Sequence, residues 1–221
     1  MAKKIDGRTA KGLRIKEQVE QGILTAYIDL IREGIPTPTA RDTARRAHLS
    51  VRVIFKHFVT LSELRFAAIS RIEVQSRGFY AEQVRYDEPV ERRLEQFIHR
   101  QTRMLEIITP FRRAALMVES IDPLVAAAMK RVRHAAVHEI ERTLGPALKF
   151  LFPSQGRWLV ANLHVVCAWP SWEMLRAHHG VSPLQARRLM TQMALSILRD
   201  ALSSRKRPAN GSKVACTGSA R

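Results

Sequence analysis

Between Gly34 and Glu63 the chain has so little room between helix breakers that its local structure is nearly forced. Gly34 ends the helical pattern before it, and Pro36 and Pro38 bar a restart until Thr39. Thr39 to Ala47 and Ser50 to His57 are then short helical candidates with only His48 and Leu49 between them. Two residues allow a tight turn and nothing longer, which is helix-turn-helix spacing. Ser50 is placed to cap the second helix of the pair. Thr60-Leu61-Ser62-Glu63 reads as a capping box, Thr60 on the Glu63 amide and Glu63 returning the bond, and opens a long fourth helix.

Helical periodicity dominates on both sides. Ile15, Val19, Ile23, Ala26, Tyr27, Leu30 and Ile31 recur at three-to-four spacing and predict a first helix from Arg14 to Glu33. Five more helices are predicted at Pro89 to Ile108, Pro110 to Ser120, Pro123 to Leu144, Arg157 to His179 and Pro183 to Ser203. Proline opens four of them, where its missing N–H is harmless. Pro170 should kink the helix that contains it. No sustained alternation of apolar and polar residues occurs, so sheet is not expected. The expected fold is all-α: a basic flexible arm (1–13), a three-helix domain carrying the helix-turn-helix (14–60), a larger helical domain (61–204) and a disordered basic tail (205–221).

Charge then points to a partner. The chain carries 37 Lys and Arg against 20 Asp and Glu, a formal +17. Lys3, Lys4, Arg8, Lys11, Arg14 and Lys16 face only Asp6 in the first sixteen residues; Arg41, Arg45, Arg46, Arg52 and Lys56 face only Asp42 between 39 and 57. The first helix between these clusters is net acidic and acts as scaffold. A basic arm beside a basic helical pair suits duplex DNA, where phosphates supply affinity and a helix in the major groove reads bases. Val51 and Arg52 lie in the first turn after Ser50, with Arg52 the leading base reader and Val51 set to press a thymine methyl. Thr39 and Arg41 start the preceding helix, and Lys56 and His57 lie near the DNA backbone. Ala44, Leu49, Ile54 and Phe58 are assigned to the core.

The stretch from Thr39 to Phe58, with Thr60 to Leu64 after it, resembles the DNA-binding domain of the TetR family of bacterial transcriptional regulators. The family's Thr, its Ile-Ala pair, its Ala-Gly-Val-Ser turn, its aromatic-x-His-Phe ending and its capped fourth helix fall on Thr39, Thr43-Ala44, Ala47-His48-Leu49-Ser50, Phe55-Lys56-His57-Phe58 and Thr60 to Leu64. Trp172 to Ala186 also resembles the loop before the last helix in many members. Three positions depart from the pattern. His48 replaces a turn glycine and must tolerate a left-handed conformation, Thr43 replaces an isoleucine, and Leu61 replaces a lysine that often touches phosphate. Phe55 stands for a tyrosine and lacks its hydroxyl.

The resemblance implies a homodimer on a palindromic operator, most simply a repressor released by a small, apolar ligand. It implies a dimer interface on the last two helices, for which Trp158, Val165, Trp169, Trp172, Met190, Met193, Ile197 and Leu198 are the candidates. It also implies a ligand pocket among the middle helices, with Phe97, Gln101, Met104, Ile108, Phe111, Met117 and His134 as candidate lining. No catalytic residue, cofactor or metal ligand set is expected. His134 and His138 at i and i+4, beside Glu139, lack a third ligand by spacing. The alternatives are a nonspecific architectural DNA binder and a helical metal-dependent enzyme. Two cysteines, Cys167 and Cys216, give no disulfide framework. With no membrane-length apolar run and no signal-peptide core, a cytoplasmic, nucleoid-associated protein is expected.

Overall fold

The computed structural model describes residues 7–80 and 84–204. The expected tail (205–221) and the first six residues of the expected arm lie outside them. Among the described residues all regular structure is helical: α1 (Gly7–Arg32), α2 (Ala40–Arg46), α3 (Val51–His57), α4 (Leu61–Ser76), α5 (Val90–Leu116), α6 (Pro123–Leu144), α7 (Pro153–Cys167), α8 (Trp169–Glu173) and α9 (Pro183–Ser203). Short 3-10 turns at Arg77–Tyr80 and Gly145–Phe150 follow α4 and α6.

Helices α1 to α3 fold around Ile23, Tyr27, Ile28, Ala44, Ile54 and Phe58. This core does not close at residue 60, because Leu64 and Ala68 of α4 and Ala114 of α5 belong to it. α4 therefore serves both halves of the molecule. The larger core joins α5, α6, α7 and α9 through Leu94, Phe97, Ile98, Leu105, Leu144, Leu163, Met190 and Leu198. A third cluster (Ala115, Val118, Val125, Ala128, Met129), with Phe66 and Ile69 packed on it, welds α4 to α5 and α6.

Several expected boundaries move. α1 begins at Gly7, so residues 7–13, expected as flexible arm, are helical. Ile15, expected on the buried face, is exposed on this early part of α1. The helices expected at 89–108 and 110–120 are one helix, α5, running through Pro110. Beside the proline, the Thr109 hydroxyl donates to the Leu105 carbonyl (2.7 Å) and accepts from Trp169 Nε1 (3.1 Å), so the Thr109 side chain is bonded in both directions at the turn that proline weakens. At Pro170 the reverse happens: the expected single helix breaks outright at Ala168, which is extended (ψ 159°), and continues as α8 and a π-turn at Met174–His178. Proline can neither donate to Val166 nor clear its carbonyl, so the chain resets and places Pro170 in a first turn. Side chains take up carbonyls near the severed end: Ser171 Oγ donates to Val165 O (2.5 Å) and Gln101 Nε2 to Cys167 O (3.0 Å). The Thr60 hydroxyl accepts the Glu63 amide as expected, but Glu63 Oε2 accepts from Val59 N (2.9 Å) instead of closing on Thr60.

Candidate nucleic-acid interface and interior cavity

The two short helices owe their bounds to their caps. Thr39 Oγ1 accepts from Asp42 N (3.1 Å) while Asp42 Oδ2 takes the Thr39 amide (3.0 Å) and hydroxyl (2.6 Å). The Thr39 side chain, then its amide, hold the Asp42 carboxyl below its ordinary range, with Arg45 and Arg41 adding to the effect. The Thr39 hydroxyl is thus committed to the cap. Ala47 ends α2, and His48 turns the chain with φ 55°, the left-handed conformation expected there. Ser50 Oγ then accepts from Val53 N (3.4 Å) and starts α3.

A seven-residue helix anchored by Ile54 and Phe58 must turn its other face outward, and Val51, Arg52, Phe55 and Lys56 are all exposed. Arg41 and Arg45 are exposed on α2. None of these four cations makes an ion pair with a described residue. Arg46 differs, since both its terminal nitrogens bond Glu33 (2.6 and 3.2 Å) and tie α2 to the end of α1. His57, expected near phosphate, has a partner within the protein. Its side chain is 9% exposed and its Nδ1 lies 3.3 Å from Glu20 Oε1. A carboxylate only accepts, so Nδ1 carries the hydrogen, and the imidazole fastens α3 to α1.

Asp122, which sequence reasoning missed, links this unit to the body. It caps α6 through the amides of Leu124 (3.2 Å) and Val125 (3.3 Å), and it accepts from Ser62 Oγ and Arg65 Nη1 (3.2 Å) of α4. Burial pushes its carboxyl up, but the Ser62, Val125 and Arg65 hydrogen bonds outweigh that and the net shift is downward. The sequence signal was Asp before Pro123 at a helix start. Its reach across to α4 had none.

A cavity of about 340 Å³ opens between α4, α5 and α6. Of the expected lining, Met104, Ile108 and Phe111 face it. Four expected residues do not line it. Phe97 is wholly buried in the main core, Gln101 serves the α7 end, Met117 is 58% exposed, and His134 is exposed beside Arg133, His138 and His164. The lining that sequence reasoning missed comes from α4 and α6: Ile69, Ile72, Met129, Val132 and Ala135.

The expected interface residues also divide. Trp169, Trp172, Met190 and Leu198 are buried within the protomer, because the break at Ala168 turns both tryptophans inward. Trp158 (71% exposed), Val165 (68%) and Met193 stay outside, with Ile197 partly covered. Burial pushes the Cys167 thiol up to about 12, which keeps it protonated and inert at neutral pH. Among the described residues no group of three His, Cys, Asp or Glu is placed to hold a metal ion, and no helix is long and apolar enough to cross a membrane.

Solved structures share this fold. A TetR-family regulator from Streptomyces coelicolor superposes with a TM-score of 0.66 at 19% identity, covering 85% of each chain. A transcriptional regulator from Rhodococcus sp. Rha1 gives 0.66 at 14% identity, over 82% of this chain and 96% of its own. The chain has the fold of TetR-family transcriptional regulators. A further member from Mesorhizobium loti MAFF303099, at 0.59 and 13% identity, covers 84% of this chain and 97% of its own. No family model and no curated protein matches the sequence itself.

Proposed function

We propose that the protein is a dimeric, sequence-specific DNA-binding regulator, a repressor whose operator affinity falls when a small molecule enters the α4–α6 cavity. The observation that carries this reading is the exposed face of α3. Val51, Arg52, Phe55 and Lys56 project together from a helix whose opposite side is fixed by Ile54 and Phe58, flanked by Arg41 and Arg45, which form no ion pair with a described residue. A guanidinium in the first turn of such a helix can bond guanine O6 and N7 together, and each such contact discriminates by ~1–3 kcal/mol. Thr39, Ser50 and His57 act in this reading as the caps and the tie that fix the angle of α3.

One reading head gives little specificity, so two are needed on one twofold axis. The outward face of α7 and α9, with Trp158, Val165 and Met193, supports pairing with a second copy. The cavity supports ligand control because α4 is shared: it lines the cavity with Ile69 and Ile72, supplies Leu64 and Ala68 to the DNA-side core, and is held at Ser62 and Arg65 by Asp122. A ligand that binds better with α4 displaced shifts the spacing of the two heads.

Footprinting on DNA flanking the protein's own gene tests the reading, with protection of a short palindrome the expected result. Arg52→Ala should relax preference at one base position. Lys56→Ala should weaken binding evenly across sequences and flatten its salt dependence. Equal binding to random duplex would mark a nonspecific architectural protein instead.

A further inference from the structure

The cavity is walled by Ile69, Ile72, Met104, Ile108, Phe111 and Met129, yet charged side chains also reach it. Its two carboxylates are already engaged. Glu73 Oε2 accepts from Arg131 Nη2 (3.1 Å), and Glu139 Oε2 accepts from Arg142 Nε (3.0 Å) and Nη2 (2.6 Å). Arg112 is not matched in this way. No described carboxylate lies in ion-pair range of it, and its hydrogen-bond partner among the described residues is the thioether of Met129, a weak acceptor. Its guanidinium lies over the Trp169 ring (5.5 Å to the centroid), which holds the charge in place without neutralising it. Glu119, whose field reaches Arg112, is bound by Arg133 at 2.7 Å. Burial pushes the Arg112 pKa down, Glu119 opposes and Arg133 reinforces the fall. A guanidinium nevertheless keeps its proton in a protein, so a partly dry, unbalanced positive charge faces an apolar chamber.

We infer that the cavity takes an amphipathic monoanion, a carboxylate on an aliphatic or aryl body, with the acid group paired to Arg112 and the hydrocarbon between α4, α5 and α6. The inference rests on the cavity being the effector site. A cavity of this volume lies within the ~300–1,000 Å³ usual for small-molecule sites, and a planar bidentate donor matches a carboxylate. A neutral ligand of equal length would leave the guanidinium drier and still unpaired. A cationic one would meet Arg112 and the exposed Arg77 as like charges.

The test titrates the full chain with octanoate, 1-octanol and octylammonium, following tryptophan emission and heat. Octanoate should bind at least tenfold tighter than octanol, with octylammonium weakest. Arg112→Met should lose tenfold or more for octanoate while keeping octanol, and Arg112→Lys should retain part of the preference. Both variants are first matched to the parent by thermal melting. Octanoate binding no tighter than octanol, no binding of any probe, or a preference that survives in Arg112→Met overturns the inference. Operator retention on the same samples separates this outcome from that of the regulator reading. Octanoate preference without any DNA binding leaves the ligand chemistry standing and removes the regulator. Operator binding with no octanoate preference does the opposite.

Discussion

His48 carries the tightest local constraint in the α1–α3 unit, a left-handed φ of 55° on a residue with a Cβ. That conformation disfavours L side chains by about 1 kcal/mol, less for His than for β-branched residues. His48→Gly should therefore raise stability by about 0.5 kcal/mol after its entropic cost, a gain of one or two degrees in Tm, while His48→Val should lower it by more than 1 kcal/mol. Calorimetric melting of the three proteins checks both signs. A higher Tm for His48→Val would mean that the turn is not held in this conformation. The constraint was legible in sequence because two residues between helical stretches leave only a tight turn. The fate of His57 was not, since Glu20 lies 37 residues away and nothing local selects between a phosphate and a carboxylate as its partner.

At the scale of elements, the join between α4 and α6 is the contact through which, in the proposed regulator, the body would act on α3. Asp122 holds it with a cap on one side and an ion pair on the other, and its side chain is 5% exposed. Asp122→Ala should cost about 2 kcal/mol, less than the ~3–5 for a fully buried pair because Arg65 keeps some contact with water. Asp122→Asn should keep the cap and lose the charge. The folded Asp122 carboxyl titrates below its unfolded value, so its stabilising effect is complete above the ordinary carboxylate pKa of about 4 and is lost as pH falls through the lower folded value. The difference in unfolding free energy between parent and Asp122→Asn should stay flat from pH 5 to 8 and shrink only below about pH 4. Denaturant titrations across that range measure it, and a difference that changed near neutrality would assign the effect to another group. α2, α3, α6 and α9 were legible because proline, glycine and capping side chains mark their ends in the sequence itself. Pro110 and Pro170 show where that signal stops. The same residue is absorbed in α5 and breaks the chain before α8, and what differs around the two includes bonds from distant parts of the chain, Trp169 on Thr109 and Gln101 on Cys167.

For the whole molecule, the pairing proposed for the outward face of α7 and α9 can be tested apart from folding. A tryptophan 71% exposed contributes little to the protomer core, so Trp158→Glu should leave the melting curve of an isolated subunit nearly unchanged. In the proposed dimer the same change would set two like charges into the apolar contact across the twofold axis. Periodicity could not have isolated this residue, since Trp158, Trp169 and Trp172 look alike along one helical stripe until the break at Ala168 sends two of them inward. Light scattering should report a monomer for Trp158→Glu and a dimer for the parent. Two linked heads gain about 10²–10⁴ in affinity over one through effective concentration alone. The variant should lose that factor on a duplex with two half-sites and lose almost nothing on a duplex with one. Equal losses on both duplexes would place Trp158 in the fold of the subunit and move the interface elsewhere.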